Sequence, residues 1–134
     1  MSSEELITLG RLQLEQGKNE EAMKYFDLAL QNDPNDSVAW GGKGVAMVNL
    51  EKYDAAMDCF DKAIKLDPQT AFAWEGKGVA LMKLGRYEES LAFFDTALQI
   101  SPNFRRALYN KCLALEKLGR PDEAARLRTD SSVP

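Results

Sequence analysis

The sequence predicts an all-α fold made of stacked antiparallel helix pairs, and three observations predict it. Two segments, "AWGGKGVAMVNLEKYDAAMDCFDKAIKLDP" from Ala39 to Pro68 and "AWEGKGVALMKLGRYEESLAFFDTALQISP" from Ala73 to Pro102, are near copies at an offset of 34 residues. Inside each copy the apolar residues recur at helical spacing, and no stretch alternates long enough to make a strand. Prolines close each period, at Pro34, Pro68 and Pro102. One helical hairpin cannot bury its apolar stripes unaided, so successive units must stack, and stacking with a constant rotation makes a superhelix with a concave face. Repetition of this kind builds a surface, whereas catalysis needs one exceptional constellation.

The elements follow in order. Ser2 with Glu5 reads as a capping box for the opening helix. In the second unit the first helix runs from about Ser37 to Leu50, with Trp40, Lys43, Gly44 and Met47 on one stripe. The second runs from about Asp54 to Leu66, with Ala56, Met57, Phe60, Ala63 and Ile64 on another. Asp36 and Thr70 stand where N-caps of following helices are wanted, and Pro68 and Pro102 lie just beyond helix ends. The links "LEKYD" and "LGRYE" leave no room for a crossover, so paired helices are antiparallel neighbours. The chain reads as one domain, 1–134, in units 3–36, 37–70, 71–104 and 105–134. The last unit is atypical: Pro121 suits a first helical position, but Arg128 stands where the others place Phe26, Phe60 and Phe94. Its final helix is expected to fray or to cap the stack, the alternative being a self-association surface.

The 34-residue offset aligns Leu6, Trp40, Trp74 and Leu108, then Gly10, Gly44, Gly78 and Cys112. It also aligns Ala22, Ala56, Ser90 and Ala124, then Ala29, Ala63 and Ala97, beside the phenylalanines and prolines. This pattern resembles the tetratricopeptide repeat, in about three full units and a partial fourth. The resemblance implies a right-handed superhelical α-solenoid whose first helices line the concave wall. It implies a noncatalytic protein-protein interaction module or adaptor that binds a peptide or short helix there. The alignment makes Trp40 and Trp74 core anchors, Tyr53 and Tyr87 packing residues between helices, and Gly44 and Gly78 close-approach positions whose slot Cys112 takes in the last unit.

Groove-facing residues follow from angle. If Trp74, Gly78 and Leu81 face the core, then at about 100° per residue Phe72, Gly76, Val79 and Lys83 face away. Their equivalents are Glu4, Thr8, Arg11 and Glu15; Val38, Gly42, Val45 and Asn49; and Arg106, Asn110, Leu113 and Lys117, with Tyr109 flanking the same wall. Gly42 and Gly76 have two readings, close approach of a partner's backbone or close packing of neighbouring first helices. Phe72 has no aromatic counterpart in other units, so it is a candidate anchor for a ligand, contact with an adjacent repeat being the alternative. Lys83, Arg106 and Lys117, with Arg105 beside them, form a basic side suited to acidic residues of a partner. Chaperone-binding relatives of this family grip a peptide's terminal carboxylate with a clamp of lysines, asparagines and an arginine. Its positions fall here on Ile7, Arg11, Gly42, Phe72 and Gly76, or one unit onward on Gly41, Val45, Gly76, Arg106 and Asn110. Neither register reproduces the clamp.

Composition narrows the function further. The absence of histidine removes histidine metal sites and Ser-His-Asp or Cys-His catalysis. "GGKG" at Gly41–Gly44 lies inside a helical pattern and lacks the strand and Lys-Ser/Thr of a phosphate loop. Glu15, Glu75, Glu116 and Asp95 read as ordinary surface carboxylates, so no enzyme and no cofactor are expected. Cys59 and Cys112 form no ligand spacing and suit a reducing, cytoplasmic setting. No apolar run reaches transmembrane length, and no basic leader opens the chain. The net charge of -4 divides into 13 acidic and 7 basic residues through Asp67, and 8 acidic and 10 basic afterwards. A weakly basic half without interleaved aromatics is a poor nucleic-acid signature and a better orienting field for a protein ligand. The partner expected is a protein or peptide with an apolar anchor and acidic residues, with a homo-oligomer as the alternative.

Overall fold

The computed structural model describes residues 1–130. They form α1 (Ser3–Glu15), α2 (Asn19–Asn32), α3 (Ser37–Asn49), α4 (Tyr53–Leu66), α5 (Ala71–Lys83), α6 (Tyr87–Ile100), α7 (Arg105–Lys117) and α8 (Pro121–Asp130), with no strand among them. The expected bounds Ser37–Leu50 and Asp54–Leu66 shift by a residue. Residues 131–134 of the last unit lie outside the described residues. Each helix packs on the next in sequence, and α1 also meets α3, α3 meets α5, and α5 meets α7. No two second helices come as close to one another among the described residues. The spacing is therefore tighter along the odd-numbered helices, and the solenoid curves with those helices on its inner wall.

A phenylalanine wedge sets that spacing. Phe26, Phe60 and Phe94 are fully buried on the second helices. A carbon added at Gly10 would stand 2.7 Å from the Phe26 ring, one at Gly44 2.8 Å from Phe60, and one at Gly78 2.6 Å from Phe94. Each of these glycines belongs to the ring's own unit. The same rings press still closer on the next unit: Gly42 lies against Phe26 and Gly76 against Phe60. Of the two readings of Gly42 and Gly76, the structure shows the packing one, but the neighbour is a phenylalanine of the preceding unit, not simply another first helix. Cys112 fills the equivalent slot in the last unit because Arg128 replaces the phenylalanine there. Its thiol is buried within 3.6 Å of the Ala124 carbonyl, while Arg128 reaches out to Glu116 at 2.6 Å.

Charge pairs repeat across the same joints. Lys43 binds Asp27 at 2.8 Å, Lys77 binds Asp61 at 2.6 Å, and Lys111 binds Asp95 at 2.6 Å, each lysine reaching back to the preceding unit. The series has no residues to extend it, since Leu9 and Thr129 occupy the next positions outward.

The caps divide into fulfilled and unfulfilled. Ser2 and Glu5 form the capping box, and Asp36 Oδ1 accepts from the Val38 and Ala39 amides. Thr70 occupies its N-cap position with no side-chain cap bond, which corrects the expectation. At the hairpin turns Gly17, Gly85 and Gly119 take positive φ, closing the first helices with paired bonds such as Lys18 N to Gln13 O at 2.8 Å. Glu51 holds the same turn at φ 62° without glycine's freedom.

Trp40 and Trp74 are half-buried, not deep core anchors like Leu6 and Leu108. An indole carries an N–H that needs an acceptor. Each donates it to the proline carbonyl ending the previous unit, Trp40 to Pro34 at 2.8 Å and Trp74 to Pro68 at 2.9 Å. The tryptophans thus tie the connecting loop to the first helix.

These contacts separate substitutions that propensity alone would group together. Alanine at Gly41 meets only the Phe72 ring at 3.5 Å, so Gly41→Ala should stabilise by about 0.5–1 kcal/mol through helix propensity. Gly42→Ala, one residue on, should destabilise by about 1–3 kcal/mol because the Phe26 ring cannot retreat. Glu51→Gly should stabilise by about 0.5–1 kcal/mol by relieving the left-handed backbone. Urea unfolding of the three variants checks all three signs.

Candidate functional site

Among the described residues, two hollows lie on the inner wall, offset by one unit. The first, of ≈ 430 Å³, lies over α3 between α1 and α5. Val38, Gly42, Val45, Phe72 and Arg106 line it, as do Arg11, Leu14, Glu15 and Gly41. The second, of ≈ 480 Å³, lies over α5 between α3 and α7. Around it stand Val45, Asn49, Phe72, Gly76, Val79, Lys83, Arg106, Tyr109, Asn110 and Leu113, joined by Val48, Glu75 and Met82. Lys117 lines neither hollow. Val38, Phe72 and Tyr109 are exposed, at 47%, 40% and 59%.

The wall is wider than the angular stripe predicted. Leu14, Val48 and Met82 share one repeat position adjacent to that stripe, and they enter because a groove between helices is also lined by residues flanking each crest. Phe72 and Arg106 stand between the hollows as a partition. The Phe72 ring packs beside Gly41, and the Arg106 guanidinium lies 5.4 Å from that ring and 5.3 Å from the Phe104 ring.

The structure corrects the reading of Glu75 as a surface carboxylate. Glu75 is only 3% exposed. Its Oε1 accepts from Arg106 Nε at 3.1 Å, with Arg106 Nη2 also at 3.1 Å, and its Oε2 accepts from Asn110 Nδ2 at 2.8 Å. Burial pushes the carboxyl above its ordinary value, while Arg106 and then Asn110 draw it back. Arg106 is therefore not a free cation awaiting a partner: its charge is met within the chain, across the joint between α5 and α7. Asn110, standing where earlier units have Gly42 and Gly76, is buried and committed to the same carboxylate. One signal could have found this site: the equivalents of Glu75 are Ile7, Gly41 and Tyr109, none of them charged. Asp95 and Glu116 are likewise occupied, by Lys111 and Arg128.

Other predicted residues have quieter surroundings. Asn49 donates to Asn19 Oδ1 at 3.0 Å. Lys83 and Lys117 are exposed, and neither takes part in an ion pair among the described residues. Cys59 and Cys112 are both buried and unpaired, and burial raises both thiols. No helix among the described residues is long and apolar enough to cross a membrane, and no group of three His, Cys, Asp or Glu there could hold a metal ion.

Profiles of the tetratricopeptide repeat match residues 3–36, 42–103 and 81–127. Curated protein sequences give no significant match. Among solved structures, a crystal structure of MamA superposes with TM-score 0.82 at 25% identity, covering 96% of this chain and 75% of that one. A MamA RS-1 ArsTM double mutant gives 0.80 at 27% identity, covering 96% and 74%. The first TPR of Spaghetti (RPAP3), bound to the HSP90 peptide SRMEEVD, gives 0.80 at 23% identity, covering 88% and 94%, a likeness of fold.

The buried carboxylate yields a pH test with a definite sign. Because the folded chain holds the Glu75 proton more tightly than the unfolded chain, ionising it costs stability as pH rises from about 4.5 through the raised folded value. Glu75→Gln should therefore gain on the parent protein as pH rises from about 4.5 to 7. Arg106→Ala, which strips the countercharge, should lose about 2 kcal/mol at pH 7 and less toward pH 4.5. Urea unfolding across that range reads both, and a stability difference between Glu75→Gln and the parent that stays flat with pH contradicts the assignment.

Proposed function

This chain belongs to the tetratricopeptide-repeat family, and from that premise we propose that it is a noncatalytic protein-binding module whose inner wall holds a peptide segment of a partner. The observation that carries the reading is the pair of adjoining hollows flanked by exposed Phe72, Val38 and Tyr109. A concave, largely apolar surface with a few convergent polar groups is what ligand sites look like. The partner places an apolar anchor beside Phe72 and acidic residues toward Lys83 and Lys117, which form no ion pair among the described residues. Arg106 contributes a stacked surface more than a net charge, since Glu75 neutralises it. The buried, unpaired Cys59 and Cys112 support a reducing compartment, the cytoplasm.

The peptide in the RPAP3 complex is not carried over, because the positions matching the carboxylate clamp hold Gly42, Phe72 and Gly76 here. End-to-end self-association is the second reading, and it lacks the parts that join units internally. Arg128 and Thr129 stand where a continuing joint would need the phenylalanine wedge and the aspartate of the ion pair.

Peptides selected from a displayed random library against the intact chain test the proposal. Phe72→Ala should weaken a selected peptide by about 1–3 kcal/mol while leaving thermal unfolding nearly unchanged. Lys83→Glu should chiefly slow association with an acidic peptide and reduce its dependence on salt. If both variants bind as the parent does, and light scattering instead shows oligomers that substitutions in α1 or α8 dissolve, self-association is the function.

A further inference from the structure

Resting on the groove reading above, we propose that the occupant of this wall is an amphipathic α-helix of another protein, with one apolar residue in each hollow, seven positions apart, and acidic residues toward Lys83 and Lys117.

The first ground is the fate of backbone polar groups. An extended peptide arrives with unpaired N–H and C=O groups, and burying them unpaired is costly. The floor of the second hollow is Val45, Val48, Val79, Met82 and Leu113. Of the side-chain amides there, Asn110 donates to Glu75 and Asn49 to Asn19. Glu75, only 3% exposed, accepts from Arg106 and Asn110 within the chain. A helix brings its backbone bonds already made and offers the floor side chains only.

The second ground is spacing. The hollows are centred on successive first helices, α3 and α5, and packed helices lie about 8–10 Å apart. On a helix rising about 1.5 Å per residue, residues seven apart are separated by about 10.5 Å and share a face. On a strand, neighbours along one face are about 6.7 Å or 13 Å apart, on either side of that helix-to-helix step. The Phe72–Arg106 partition then sits between two turns of the bound helix, its exposed ring and guanidinium against the intervening small or polar side chains.

The third ground is charge. Glu15, Asn49, Lys83 and Lys117 occupy one repeat position, at or next to the C-terminal ends of α1, α3, α5 and α7, so the rim passes from acidic to basic along the stack. The two lysines lack carboxylate partners among the described residues, and they orient a helix carrying acidic residues at one end.

The experiment uses the intact chain and a displayed library of random 16-residue peptides. Synthetic versions of the selected binders are then titrated against the parent, Phe72→Ala and a Lys83→Glu, Lys117→Glu double variant. The expected binders carry apolar residues seven apart and gain helical circular dichroism on binding. A proline placed midway between the two anchors should weaken them at least tenfold, as should Phe72→Ala. The double variant should weaken acidic binders about tenfold and leave neutral ones unchanged. Binders that lose affinity to Phe72→Ala yet alternate with period two, or tolerate the proline, overturn the helix and leave the groove reading standing. Absence of any binder, or binders indifferent to Phe72→Ala, overturns the groove reading and the helix with it.

Discussion

The structure depends on one contact, the edge of a phenylalanine ring lying where two glycines leave no side chain. Phe26 fills the space between Gly10 of its own unit and Gly42 of the next, and Phe60 does the same between Gly44 and Gly76. Dense packing makes such a contact a spacer, because neither a larger nor a displaced side chain fits without moving a helix. The spacer acts on one side of the solenoid, where first helices touch, while second helices are held apart. Curvature follows from that asymmetry, and the concave wall follows from curvature.

The three lysine–aspartate pairs reinforce each joint at the surface, but with aspartates about half exposed they add little energy compared with the rings. Their value is positional. Each fixes the rotation of one unit against the last, as each tryptophan fixes the loop between them.

The wall stops repeating at the joint between α5 and α7. Asn110 replaces the glycine that the wedge uses elsewhere, and Glu75 replaces a position that is apolar or glycine in the first two units. The two departures belong together, since Asn110 donates to the carboxylate that Arg106 neutralises. A buried charge of this kind is a costly element, retained here at the centre of the wall beside Phe72 and Tyr109. It converts one cation of the basic side into a fixed, stacked plate.

Most of the architecture was determined by the sequence alone, because it rests on short-range physics. The 34-residue period, the helix bounds, the capping box at Ser2 and Glu5, and the turn after each pair concern residues a few positions apart. The stripe calculation reached Val45, Phe72, Val79 and Leu113 for the same reason, since one helix has one geometry. Contacts across a joint were beyond it. Gly42 could not be assigned without knowing that Phe26, 16 residues earlier, returns beside it. The uncharged equivalents Ile7, Gly41 and Tyr109 mark Glu75 as unusual, but its partners, Arg106 and Asn110, lie 31 and 35 residues later and are named only by the fold. Tertiary structure decided these points because burial, unlike helicity, is a property of what the neighbouring units bring near.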